Sequence, residues 1–168
     1  MNLQRFNRLP AAEAAEWLRP CADINAWIHA LVAARPFRDR DSLLRAAEQA
    51  AQVWQAEDIE RALAQHPRIG ERASGQGREA QFSADEQSAV NADDDALAQA
   101  LREGNRRYES QFGNVFLICA AGRDGHTILQ ALERRLRNTP QQEQRETAEQ
   151  LREIALLRLQ ERLSDESD

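Results

Sequence analysis

The sequence predicts an all-α fold: a single-domain helical bundle of about eight helices with one extended apolar segment near residues 112–121. Three observations lead there. Apolar residues recur three and four positions apart along nearly the whole chain, the spacing that gathers them on one face of a helix. Glycine is scarce, 7 in 168 residues, and is confined to two stretches, Gly70 to Gly77 and Gly104 to Gly125. The run Phe112-Gly113-Asn114-Val115-Phe116-Leu117-Ile118-Cys119-Ala120-Ala121-Gly122 breaks the helical period, being almost continuously apolar, rich in β-formers and bracketed by glycines.

Taken in order, the periodicity places helices at about 11–18, 22–34, 40–53, 56–64, 84–92, 94–110, 127–137 and 141–163. Short polar residues stand near several starts: Asp23, Asp41-Ser42, and Thr139 followed by Pro140. Such side chains accept a first-turn N–H that has no partner within the helix, and proline at the first helical position gives up no bond. The helix over 56–64 runs into Gln65-His66-Pro67-Arg68-Ile69-Gly70 and stops, because the proline denies His66 the helical region and the glycine allows a tight turn. Glu71 to Arg78 reads as a mobile surface loop. Ser83-Ala84-Asp85-Glu86 then opens the next helix as a capping box. With no internal repeat and no linker, residues 1–168 form one domain, ending in a short disordered acidic tail at about 164–168.

The apolar segment raises a hydrogen-bonding question. No second strand is evident, so an extended passage through the core leaves backbone N–H and C=O groups without ladder partners, and buried polar groups need partners. A polar ligand supplies them on one reading; a helical turn bonded to its own backbone supplies them on the other.

Composition narrows the function. An apolar content of 42% with 30% charged residues fits a soluble globular chain. No run approaches the roughly 20 apolar residues of a membrane span, and the N-terminus lacks the layout of a signal peptide. The acidic C-terminus carries no peroxisomal tripeptide, leaving the cytoplasm as the expected location. A net charge of -6, with no basic–aromatic face, argues against nucleic acid. Cys21 and Cys119 have no metal-site spacing and read as buried thiols. All 22 basic residues are arginine. Without lysine, Schiff-base chemistry, pyridoxal phosphate or biotin attachment and the usual phosphate-binding loop are excluded.

Candidate residues each have a structural alternative. Of the three histidines, His29 lies within a helical pattern and His126 at a helix start, where packing or capping accounts for them. His66 differs, since Pro67 fixes the direction of its side chain and Arg68 brings positive charge close. Glu86, in Ser83-Ala84-Asp85-Glu86-Gln87, either completes the capping box or turns outward to orient a histidine, at a helix end whose N–H groups suit a carboxylate. Arg158 falls on the apolar stripe of Leu151, Ile154 and Ala155 and needs an anionic or hydrogen-bonding partner there, either an internal acid or a ligand. Arg162 shares the stripe but is near enough to the chain end to reach water.

These motifs together resemble a family. "HPRIG", "SADEQ", "NRRYESQFGNVFLICAAGR", "ILQALERRLRN" and "EIALLRL", in that order and preceded by "WIHALVAARPF", are similar to 2-oxo-4-hydroxy-4-carboxy-5-ureidoimidazoline (OHCU) decarboxylase, over nearly the whole chain. The resemblance implies a cofactor-free, metal-free, all-helical enzyme, usually a homodimer, that acts on a small ureido-imidazoline at the last step of urate breakdown to allantoin. It implies that His66 is the catalytic histidine and Glu86 its partner. It implies substrate binding by Pro67, by Ser83, Ala84, Asp85, Glu86 and Gln87, by the backbone of Phe116, Leu117, Ile118, Cys119 and Ala120, and by Arg158. One departure is Asn114-Val115, where an apolar–proline pair is more usual.

The implied chemistry suits these residue types. The substrate carries a carboxylate and a hydroxyl on one ring carbon beside a C=N bond, so it can accept the electrons released as CO2 leaves. The protein has to hold the ring, stabilise developing charge and deliver a proton to one face. Two other readings remain at this point: a helical interaction module in which Arg158 closes an internal salt bridge, and a ureide hydrolase or racemase using the same histidine and carboxylate.

Overall fold

The computed structural model describes residues 1–69 and 95–164. All the regular structure among them is helical: α1 (Leu3–Arg8), α2 (Ala11–Leu18), α3 (Asn25–Ala33), α4 (Arg40–Ala51), α5 (Ala56–Leu63), α6 (Asp95–Phe112), α7 (Gly125–Arg135) and α8 (Pro140–Ser164). The all-α expectation holds, and seven of these helices fall on segments expected from periodicity. The eighth, α1, was not expected: six residues are too few to show a period, and it rests on an Asn2 cap that accepts the Arg5 N–H at 2.8 Å and on one buried anchor, Phe6. The expected helix over 84–92, the loop over 71–78 and the end of the acidic tail lie outside the described residues.

Cap chemistry explains where several helices begin, and it revises two assignments. Asp39, not Asp41-Ser42, caps α4, accepting the Ser42 N–H at 2.8 Å, while Asp41 sits in the first turn. Asp23 does not cap α3; it pairs with Arg19 at 2.6 Å. Thr139 does begin α8 as a reciprocal box: its Oγ1 accepts the Gln142 N–H at 3.2 Å and its own N–H donates to Gln142 Oε1 at 3.0 Å, with Pro140 at the first helical position.

The chain divides into two compact units, Met1–Ala62 with Arg152–Asp168, and Leu63–Leu151. In the first, α2 packs on α3 and α3 on α4, burying Leu18, Ile24, Trp27, Ile28, Leu31, Leu43 and Ala47. Each such large apolar side chain contributes roughly 1.5–3 kcal/mol of transfer free energy. Trp27 Nε1 donates to Ala47 C=O at 2.9 Å, so the buried indole leaves no orphan donor. The Arg-Pro-Phe segment is structural: Arg35 Nη1 donates to Phe6 C=O at 2.8 Å and Leu9 C=O at 2.7 Å, taking up carbonyls at the end of α1, and Phe37 exchanges two 2.9 Å bonds with Asn7.

The second unit is built on α6 and α7. Two glycines let these helices approach closely: a Cβ on Gly104 would lie 2.5 Å from Leu132 Cδ2, and one on Gly125 would lie 2.5 Å from Leu97 Cδ2. Each glycine meets a leucine of the other helix. Around that contact Leu97, Leu101, Tyr108, Ile128 and Leu132 form one apolar cluster with Ile69, Phe116, Ile118 and Ala120.

Candidate active site

The His66 turn is fixed by bonds on both sides. Past the end of α5, His66 N–H donates to Leu63 C=O at 3.0 Å, and the side chains of His66 and Pro67 are half-buried. Two residues on, the Ile69 carbonyl accepts Asn105 Nδ2 at 3.0 Å, and Arg68 Nε reaches both Glu109 oxygens at 2.8 and 3.0 Å. Asn105 and Glu109 are four residues apart on α6, hence on one face. That face grips the chain just after the proline. Sequence placed the Arg68 charge near the imidazole; Arg68 forms an ion pair with Glu109. Asn105 is buried, and its Oδ1 has no hydrogen-bond partner among the described residues.

The apolar segment runs as an irregular passage, as composition suggested. Gly113, at φ 80°, ends α6 by donating its N–H to Glu109 C=O at 2.9 Å, and Gly122, at φ 74°, turns the chain toward α7. From Val115 to Ala120 there is no helix, turn or bend, and residues 116–120 are all buried. At the unusual Asn114-Val115 step, Asn114 Nδ2 braces the backbone by donating to Val115 C=O at 3.1 Å.

Side chains take the place of a strand for part of this backbone. Leu117 C=O accepts Arg135 Nη1 at 2.7 Å, Cys119 N–H donates to Gln150 Oε1 at 2.9 Å, and Ala120 C=O accepts the Arg123 N–H at 3.0 Å. Of the two readings, a helical turn bonded to its own backbone is not what forms over 115–120, and a ligand is not needed for these three groups. Among the described residues, no hydrogen bond reaches the N–H or C=O of Ile118, which is buried.

Arg135 belongs to a buried network that sequence reasoning did not single out. Its side chain and that of Glu143 are 1% and 3% exposed. Arg135 Nε and Nη2 both donate to Glu143 Oε1, Tyr108 OH donates to the same oxygen at 2.7 Å, and Asn138 Nδ2 donates to Oε2 at 3.0 Å. The Arg135 guanidinium also lies 4.5 Å from the Phe116 ring centroid. Burial, aided by the Glu143 carboxylate, pushes the Tyr108 phenol up to about 12. A signal was present in the sequence: Ile128, Leu132 and Arg135 share one helical stripe, the argument that picked out Arg158. On α8, Glu143, Thr147 and Gln150 likewise share a face on which polar residues replace apolar ones.

The remaining candidates divide as follows. Arg158, in the other unit, is 1% exposed, and its Nη1 donates to Pro20 C=O at 3.0 Å among its interactions. Arg162 does not simply reach water: Nη1 donates to Trp17 C=O at 2.6 Å and the guanidinium lies 4.7 Å from the Trp17 ring centroid. His29 and His126 are exposed, and it is Asp124 that caps α7, accepting the Thr127 N–H at 2.8 Å. Cys21 and Cys119 are buried and form no disulfide. Ser83, Ala84, Asp85, Glu86 and Gln87 lie outside the described residues.

A histidine turn held from α6, and a buried, ladderless backbone stretch whose Phe116 ring packs on Tyr108 of α6, are the candidate elements of this all-helical protein. The family model for OHCU decarboxylase matches residues 7–160, and the chain belongs to that family. It is 28% identical to a 2-oxo-4-hydroxy-4-carboxy-5-ureidoimidazoline decarboxylase of Haloferax volcanii, over 99% of this chain and 98% of that protein. It is 37% identical over 109 residues to the uric acid degradation bifunctional protein TTL of Arabidopsis thaliana, covering 63% of this chain but 34% of that longer protein. Among solved structures, an OHCU decarboxylase crystallised in the presence of (S)-allantoin superposes with a TM-score of 0.73 at 25% identity, over 90% of this chain and 99% of that one. An (S)-allantoin synthase shares the fold, with a TM-score of 0.71 at 21% identity, over 97% of this chain and 54% of that one.

Proposed function

We propose that this protein is a cofactor-independent carboxy-lyase that converts 2-oxo-4-hydroxy-4-carboxy-5-ureidoimidazoline to (S)-allantoin and CO2 in urate degradation. The observation that carries this reading is the match of the OHCU decarboxylase family model over residues 7–160; the His66-Pro67 turn held from α6, and the buried Ile118 peptide groups with no bond to a described residue, agree with it. A small ring bearing adjacent N–H and C=O groups can satisfy them.

In the reaction, the bond from the ring carbon to its carboxylate breaks and CO2 leaves. The electron pair forms a carbon–carbon double bond, and the electrons of the neighbouring C=N pass to nitrogen, which takes a proton. The resulting enol loses its hydroxyl proton and gains one at the ureido-bearing carbon. His66 is the general acid/base for these transfers, a role usually worth about 10²–10⁴ in rate. Glu86 orients the ring, and Arg158 holds the ligand with a planar fork that lysine cannot reproduce. Pro67, the chain from Ser83 to Gln87 and the backbone of Phe116 to Ala120 bind the substrate, with apolar walls that exclude water. Proton delivery to one face gives the S product.

The match of one family model across both units supports reading the chain as a single domain. A homodimer in the cytoplasm completes the proposal. No described helix is long and apolar enough to cross a membrane. The test generates the unstable intermediate from urate with the two preceding activities, then adds this protein. Faster ultraviolet decay with (S)-allantoin as product is expected; an unchanged decay rate and racemic allantoin would overturn the assignment.

A further inference from the structure

We propose that Arg135 and Gln150 are positioning residues that make the segment over 116–120 a one-sided reading edge for the ligand, an inference that rests on the decarboxylase reading above. The two peptide units flanking Ile118 are trans, so in each the C=O and the N–H point in opposite directions. Leu117 C=O, in the first unit, takes Arg135 Nη1 at 2.7 Å, and Cys119 N–H, in the second, takes Gln150 Oε1 at 2.9 Å. That is the bonding a neighbouring strand would give, supplied by α7 and α8. The N–H and C=O of Ile118, in these same two units, therefore point away from the clamps. They offer a donor and an acceptor to the C=O and N–H of a cyclic ureide.

The two clamps come from one polar layer. Arg135 is locked to Glu143 and lies against the Phe116 ring, and Gln150 stands seven residues after Glu143 on the same face of α8. Holding both neighbours of Ile118 keeps its peptide groups from rotating inward to bond the protein, so the ordering is done before substrate arrives.

The test uses the full chain with Gln150→Met, which removes the acceptor at similar length, and Gln150→Glu, which keeps an acceptor. Arg135 is left intact because truncating it would strand Glu143. Measured are urea stability, KM and kcat on the intermediate generated from urate, and amide hydrogen exchange at Ile118 and Cys119 with and without (S)-allantoin. In Gln150→Met the Cys119 amide should exchange faster and KM rise about tenfold, because the loosened segment must then be ordered as the ligand binds. Its kcat should change less than KM, and Gln150→Glu should return KM to within about twofold of wild type. A wild-type KM in Gln150→Met, or a raised KM that glutamate does not rescue, overturns the proposal, whereas a merely structural role would lower stability alone. A Gln150→Met chain that does not fold leaves the wild-type readings decisive: a Cys119 amide that exchanges unprotected refutes the clamp, and protection of the Ile118 amide by (S)-allantoin supports the edge. A wild-type protein that does not speed decay of the intermediate defeats the decarboxylase reading instead, and the two exchange readings still judge the clamp.

Discussion

Replacing Tyr108 with phenylalanine removes one hydroxyl from the buried network. The hydroxyl donates to Glu143 Oε1 at 2.7 Å, while the ring lies tilted 4.8 Å from Phe112 and edge-on 5.3 Å from Phe116. Phenylalanine keeps the ring contacts and deletes only the O–H. A hydrogen bond to a charged group contributes about 1.5–3 kcal/mol. Glu143 keeps Arg135 and Asn138 as donors, so the low end applies, about 1.5 kcal/mol or a little over tenfold in the folding equilibrium. Urea unfolding should show a lowered midpoint with an unchanged slope. The alkaline limb gives a second reading. A phenol raised to about 12 in the folded state contributes stability that is complete below its unfolded value of about 10 and lost as pH rises through about 12. The variant should lose that dependence. Tyr108 is the only tyrosine, so phenolate absorbance reports it without ambiguity. A variant as stable as wild type, or a phenol that titrates near 10 in the folded protein, would refute the account of the network.

Other perturbations give equally definite outcomes. Gly104→Ala drives a methyl to 2.5 Å from Leu132 Cδ2, a side chain with no route to solvent; overpacking outweighs the gain in helix propensity, leaving a net loss of about 1 kcal/mol in urea unfolding, and in a double-mutant cycle the double variant with Leu132→Ala should be no less stable than Leu132→Ala alone. Glu146 is held down at about 2 by its bonds to Arg134. This contribution is present above the usual carboxylate range and lost as pH falls through about 2. Because the pair is partly exposed, Glu146→Gln should cost about 1 kcal/mol or less at neutral pH and flatten the acid limb. Arg158→Lys keeps the charge but loses the fork; KM should rise at least about tenfold with the melting temperature lowered only modestly, as circular dichroism and the coupled assay would show together.

Helix positions were legible because burial of one face imposes its period on the sequence, and α2, α5 and α8 lie within a residue or two of where that period puts them. Cap residues were less so. Asp39 and Asp41 are equally good acceptors on paper, and only backbone geometry selects Asp39. The segment over 112–121 declared itself through glycines that later proved to sit at positive φ. Its support did not, because Arg134 and Arg135 are identical letters: one is 58% exposed on Glu146, the other 1% exposed beneath Leu117. Of the residues proposed for the site, His66, Pro67, Phe116 to Ala120 and Arg158 could be named from motifs; Arg135 and Gln150 showed only as polar residues on otherwise apolar helix faces, and which backbone groups they and Asn105 bond is set by the fold.

The most direct measurement is single-turnover conversion of the intermediate by His66→Asn beside wild type, with enzyme in excess and the chirality of allantoin followed. Asparagine keeps a polar side chain of similar reach but cannot carry a proton at neutral pH. The account predicts a fall of about 10²-fold or more in rate, with the S excess lost. Conversion within a few-fold of wild type, still giving (S)-allantoin, would contradict it.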